Sequence, residues 1–108
     1  MKADNTSWKR ALCSCLSLAG IETLIAIAQS DSFAAAADKL GVSKAAVTLQ
    51  LKRLEKATGE RLVNRSHGAG RGVEREPHTL TLKGADLYRR VRRPMTELRA
   101  AMDSYLSH

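Results

Sequence analysis

Apolar residues recur at helical spacing from Leu18 onward. Leu18, Ile21, Leu24, Ile25 and Ala28 share one face of a helix. The pattern stops at Ser30-Asp31-Ser32, a cluster of turn and capping residues. Ser32 is placed to cap a short second helix, Phe33 to Leu40, whose alanine run from Ala34 to Ala37 lets neighbouring helices approach closely. Gly41 follows, at the point where a left-handed residue ends a helix at least cost. Ser43 caps a third helix over 44–58. In it Val47, Leu51, Leu54 and Thr58 stand at i, i+4, i+7 and i+11 and form the inward face, and Gly59 closes it. A helix, a glycine turn and a second helix make a helix-turn-helix.

The pattern then changes period. Arg61 to Arg65 reads as a short strand, and Thr79 to Leu82 alternates as the returning strand. Between them, His67 to Pro77 holds Gly68, Gly70, Gly72 and Pro77 and reads as a loop. Together they predict a β-hairpin with a long tip, a wing over residues 66–78. A last helix is predicted from about Leu82 to Leu106. Its apolar residues Tyr88, Val91, Met95, Leu98, Met102 and Tyr105 are separated by steps of 3, 4, 3, 4 and 3, a heptad seam. Such a seam fits a second copy of the chain or a helix folded back on its own domain. Pro94 removes one helical hydrogen bond and disfavours helical geometry at Arg93, which predicts a kink there or two helices meeting at 93–94. The fold class is thus mainly α: a winged helix-turn-helix with a three-helix core and a β-hairpin wing, followed by a long C-terminal helix kinked near Pro94. Its divisions are 1–16 (N-terminal extension), 17–81 (winged helix-turn-helix) and 82–108 (linker and dimerisation helix).

Composition narrows the function. At 108 residues, 44% hydrophobic and 27% charged, the chain is expected to be one globular domain. It has no run of about 18 apolar residues, the signal of a membrane-spanning helix. Its formal charge of +7 points to a polyanion, nucleic acid or an anionic membrane surface. Residues 17–60 are neutral, whereas 61–108 carry ten Lys and Arg against five acids. Cys13 and Cys15 are too close in sequence for a good internal disulfide on a helix and lack the partners of a zinc site. They read as reduced thiols, with a thiol sensor or an intermolecular bridge as the alternative. Lys2, Lys9 and Arg10 precede the apolar stretch Ala11 to Ala19. That stretch is short and interrupted by Ser14 and Ser17, so it reads as a helical extension or tail and not as a secretion signal. A cytoplasmic, nucleoid-associated protein is expected. Catalysis has no visible apparatus. His67, His78 and His108 lie on loops or at the chain end without metal-ligand spacing, and GAGRG at 68–72 lacks the strand-to-helix setting of a phosphate loop. No enzyme activity, cofactor or metal is expected.

The stretch IETLIAIAQSDSFAAAADKLGVSKAAVTLQLKRLEKATGERLVNR resembles the N-terminal winged helix-turn-helix of LysR-type transcriptional regulators. The likeness rests on Phe33, the alanine run, Leu40-Gly41-Val42-Ser43, Ala46-Val47, Leu51, Leu54-Glu55, Gly59, Leu62 and Arg65, and continues through Leu80-Thr81 and Gly84. It covers about residues 18–93. Family members usually have proline at Ala45, a basic residue at Leu49 and phenylalanine at Val63. The wing is longer than usual and in this is similar to the DNA-binding domain of molybdate-responsive regulators. Typical members continue into a ligand-binding domain that these 108 residues do not include. The chain is therefore expected to be a stand-alone DNA-binding protein or a truncated relative, and no small-molecule effector is inferred.

With Val47, Leu51 and Leu54 inward, Lys44, Ala45, Thr48, Leu49 and Lys52 face outward. A helix fits the major groove and reaches base edges with its N-terminal residues. Lys44 is the candidate for a guanine contact, Thr48 for a base edge or phosphate, and Ala45 and Leu49 for thymine methyls. Ser43 is a helix cap that can also touch a phosphate. Lys52, Arg53 and Arg65 flank the motif as backbone contacts, and Arg71 between Gly70 and Gly72 is placed to enter the minor groove or lie along phosphates. Arg75 is a weaker candidate. Arg89, Arg90, Arg92 and Arg93 spread around the last helix, and a solvated face, or pairing with Glu97 and a partner's acids, is the plainer reading. The resemblance implies dimerisation through the last helix. The expected partners are double-stranded DNA and a second copy of the chain, with no membrane. The expected function is sequence-specific regulation of transcription as a homodimer. The alternatives are an interaction module forming mixed dimers with full-length regulators, or a non-specific DNA-coating protein.

Overall fold

The computed structural model describes residues 17–65 and 78–107. The chain runs through helices α1 (Leu18–Ala28), α2 (Phe33–Leu40) and α3 (Lys44–Thr58), strands β1 (Val63–Arg65) and β2 (His78–Leu80), and helix α4 (Leu82–Leu106). Each helix of the core starts on a serine. Ser17, Ser32 and Ser43 are extended, and their hydroxyls accept from the backbone N–H of Gly20 (3.1 Å), Ala35 (3.0 Å) and Ala46 (3.0 Å). Gly41 ends α2 at φ 72, and Gly59 ends α3 at φ 74, a region costly for residues with a Cβ.

The core is built on α1. From Thr23 to Ile27 every residue is buried, a full band where the spacing predicts a stripe. The reason is position: α1 packs against α2 and α3 on one side and α4 on another, so these five residues find a neighbour on every face. The buried Thr23 hydroxyl is satisfied by donating to Ala19 O at 2.7 Å. Leu18, expected inward, is 55% exposed. Around α1, Phe33, Ala36, Ala37, Val47, Leu51, Leu54, Leu62 and Val63 complete one apolar cluster. Thr58 departs from the predicted inward face of α3. It is exposed, and its hydroxyl donates to Leu54 O at 3.1 Å in the helix's last turn.

The two strands are antiparallel, with Val63 opposite Leu80, Asn64 opposite Thr79 and Arg65 opposite His78. Both are shorter than the alternation predicts. Thr81 leaves the ladder to cap α4: its hydroxyl accepts from Gly84 N (3.0 Å) and donates to Arg61 O (2.7 Å), while its N–H donates to Leu62 O (3.0 Å). Gly84 sits against the same segment. A Cβ there would lie 2.0 Å from the Leu62 carbonyl oxygen, so only glycine fits. The tip of the wing, residues 66–77, lies outside the described residues.

Helix α4 continues through Pro94, so the alternative of two helices meeting at 93–94 does not hold. Pro94 has no N–H to offer the Arg90 carbonyl, but its fixed φ is compatible with the helix that carries it. The predicted seam is divided between two environments. Met95 is buried, and Tyr88 is half-buried against the core cluster with its hydroxyl accepting from Gln29 Nε2 at 3.3 Å. Leu98, Met102 and Tyr105 are 41%, 47% and 72% exposed.

Candidate nucleic-acid interface

Burial of Val47, Leu51 and Leu54 fixes the rotation of α3 and leaves its other side to solvent. Lys44, Ala45, Leu49, Lys52 and Arg53 are exposed there, and Thr48 is half-buried at the edge of the face. Leu49 exposes 48% of its surface, in the middle of a polar stripe. Among the described residues none of Lys44, Lys52 and Arg53 has an acidic partner within ion-pair distance. The face therefore presents uncompensated positive charge. The N-terminus of α3 adds the partial positive charge of its free N–H groups. Ser43 acts as a cap, as its bond to Ala46 N requires. Beside it Val42 is 46% exposed, an apolar neighbour of the helix start that the helical period alone does not single out.

The wing is fastened to α3 by Glu55. One carboxylate oxygen, Oε2, accepts from the N–H of Leu62 (2.7 Å) and of Val63 (3.3 Å). Those donors enter β1, so the reading helix and the foot of the wing are held by one charged acceptor. In the sequence Glu55 stands out only as part of a resemblance. Its signal, an acid on α3 one turn before Gly59 facing the next segment, is weak without the fold. Arg65 lies in β1 at the last described position before the tip. Arg71 and Arg75, expected to contact DNA from the tip, lie outside the described residues, as does His67.

The arginines of α4 have other neighbours. Asp86 pairs with Arg89 (3.6 Å) and Arg90 (3.1 Å), one turn along the same helix. The guanidinium of Arg92 lies 6.0 Å from the centre of the Tyr88 ring. Arg99 binds Glu22 of α1 at 3.2 Å. The acid that serves this run is thus Asp86, where Glu97 is the sequence-based expectation. No helix among the described residues is long and apolar enough to cross a membrane, and no group of three His, Cys, Asp or Glu residues among them is placed to hold a metal.

A three-helix core, a short antiparallel wing and a long terminal helix define a winged helix-turn-helix DNA-binding domain. Residues 18–85 match the bacterial regulatory helix-turn-helix protein, lysR family, and the chain belongs to that family of transcriptional regulators, which are not enzymes. It is 34% identical over 88 residues to the uncharacterized HTH-type transcriptional regulator YcaN of Escherichia coli K12, covering 82% of this chain and 26% of YcaN. It is similar to the DNA-binding domain of CbnR solved in complex with DNA, at 27% identity and a TM-score of 0.68 over 85% of this chain and 97% of that one. The full-length LysG of Corynebacterium glutamicum with bound effector Arg superposes with a TM-score of 0.65 at 29% identity, over 85% of this chain and 28% of LysG. The chain thus spans about a quarter of the length of YcaN and LysG.

Proposed function

We propose that this chain reads a specific double-stranded DNA sequence as a homodimer and regulates transcription in the bacterial cytoplasm, on the nucleoid. Helix α3 (44–58) enters the major groove, and the wing (66–78) lies on the minor groove or the backbone. Residues 17–81 do the binding and 82–108 join two copies. The observation that carries this reading is the outer face of α3, where Lys44, Lys52 and Arg53 stand exposed without acidic partners on a helix anchored by Val47, Leu51 and Leu54. The likeness to the DNA-bound CbnR domain supports the same conclusion. In this reading Lys44, Thr48, Ala45 and Leu49 meet base edges, while Ser43, Lys52, Arg53, Arg65 and Arg71 meet the backbone. Tyr88, Val91, Met95, Leu98, Met102 and Tyr105 line the dimer helix, and the exposure of Leu98, Met102 and Tyr105 favours the last three as the part that meets a partner. The same exposure supports the second reading, a mixed dimer with a full-length regulator.

The test is selection of bound duplexes from a random pool by the 108-residue chain. A two-fold symmetric consensus with half-sites about one helical turn apart is expected. Lys44→Ala with Thr48→Ala then weakens binding to that duplex by about 1–3 kcal/mol for each base edge that the side chains no longer bond. An unchanged footprint of the double variant removes α3 from the reading role. Equal affinity for selected and random DNA supports a coating protein, and a stable mixed dimer without DNA binding supports the interaction module.

A further inference from the structure

A trench of about 220 Å³ runs between α3 and the foot of the wing, lined by Phe33, Thr48, Leu51, Lys52, Glu55, Arg61 and Val63. Its floor is apolar and its rim is charged. Thr48 and Lys52 stand one turn apart on the α3 side, and Arg61 stands opposite them. The rim has one acid, Glu55, whose Oε2 is engaged by the backbone N–H groups of Leu62 and Val63. The acid next to Arg61 in sequence, Glu60, lies 4.0 Å from Lys83. Among the described residues neither Lys52 nor Arg61 has an acidic partner of its own within ion-pair distance. Two cations therefore face one trench with the nearby carboxylates directed elsewhere.

The backbone that carries Arg61 is also fixed. Its carbonyl accepts the Thr81 hydroxyl at 2.7 Å, and the next N–H, that of Leu62, is held by Glu55 at 2.7 Å. Arg61 itself is exposed, on a backbone held by these two bonds. We propose that Arg61 binds a backbone phosphate of the DNA strand that flanks the groove holding α3, next to the one that Lys52 meets across the trench. Arg61 thereby becomes a backbone contact outside the helix-turn-helix. A planar guanidinium suits phosphate oxygens, and such a contact fixes register without reading sequence. The inference rests on the DNA-binding reading above.

Titration of a selected duplex and a random duplex of equal length, each at several salt concentrations between about 50 and 200 mM, separates the outcomes. Arg61→Gln is expected to weaken both duplexes by the same factor and to reduce the slope of log K against log salt by about 0.9, the contribution of one phosphate. Arg61→Lys is expected to retain most of that slope, since it keeps the charge. A thermal unfolding curve of Arg61→Gln that overlays the parent's shows that the weaker binding does not come from unfolding. A slope unchanged in Arg61→Gln, while the parent chain binds, overturns the Arg61 contact and leaves the DNA-binding reading standing. Weakening confined to the selected duplex also overturns it, because Arg61 would then read bases. If the parent binds neither duplex, both readings fail together.

Discussion

The two halves of α4 carry one heptad pattern and meet different surroundings. Up to Met95 the seam faces the chain's own core. Met95 is 5% exposed, Tyr88 hydrogen-bonds Gln29, and the helix start is locked to the wing by Thr81 and Gly84. Beyond Met95 the same spacing places Leu98, Met102 and Tyr105 in solvent, with Leu106 beside them at 69% exposure. The single tie of this half to the body among the described residues' ion pairs is Arg99 to Glu22, and both side chains are partly exposed. A seam's period thus says which side chains line up, and nothing about whether the surface they meet belongs to the same chain. Here the first half packs on the domain, and the second half keeps its apolar side chains exposed.

The strongest challenge to this division lies at its inner end. Met95→Ala is expected to destabilise the folded domain by about 2–5 kcal/mol, the usual cost of truncating a buried large side chain. The destabilisation should be independent of protein concentration in urea or thermal unfolding. A cost below about 0.5 kcal/mol, in the range of a surface substitution, would place Met95 with the outer half. Gly84→Ala probes the other anchor. Its Cβ would meet the Leu62 carbonyl oxygen at 2.0 Å, and Leu62 O is itself held by Thr81 N–H. Relieving the overlap must shift backbone, so a destabilisation of about 1–3 kcal/mol is expected, the range for overpacking. Hydrogen exchange should show it first at the Leu62 and Thr81 amides.

What the sequence made legible follows from how local each signal is. The α2–α3 pair is written in adjacent residues: Ser32, Gly41, Ser43 and Gly59 each fix a cap within one turn, and the structure has the two helices where those residues put them. The outward position of Lys44, Ala45, Leu49, Lys52 and Arg53 follows from the inward position of three apolar residues on the same helix. What was not legible depends on partners far along the chain. Burial of every residue from Thr23 to Ile27 requires knowing that α4 returns to α1. The role of Glu55 requires knowing that β1 starts beneath it, since an acid on an amphipathic helix otherwise reads as a solvated charge. Thr81 alternates like a strand residue, and only the bond to Gly84 N makes it a cap.

The outer half should respond in association and not in folding. Leu98→Ala with Met102→Ala removes apolar surface that water already reaches, so in dilute solution the unfolding free energy should change by no more than about 0.5 kcal/mol per site, as for surface substitutions. If two copies meet along this half, the parent's unfolding midpoint rises with concentration by mass action, and that rise disappears in the double variant. Sedimentation at two concentrations reads the same difference directly. A double variant as unstable as Met95→Ala would instead place the whole seam inside the folded domain.

The smallest effect is expected where the two halves join, at Arg99 and Glu22. The pair is 3.2 Å apart, with side chains 48% and 38% exposed, so solvent screens it. Exposed ion pairs of this kind contribute about 0.2–1 kcal/mol, and less as salt rises. Arg99→Met keeps the aliphatic stem over α1 and removes the charge, so it isolates that contribution from packing. A double-mutant cycle with Glu22→Gln at low and high salt measures it. A coupling within that range at low salt that fades at high salt makes the pair a weak electrostatic latch on an otherwise free helix end. A coupling above about 2 kcal/mol that ignores salt, beyond the range of exposed pairs, would mean the outer half is docked to α1 as firmly as the inner one. The boundary at Met95 would then move outward to Arg99.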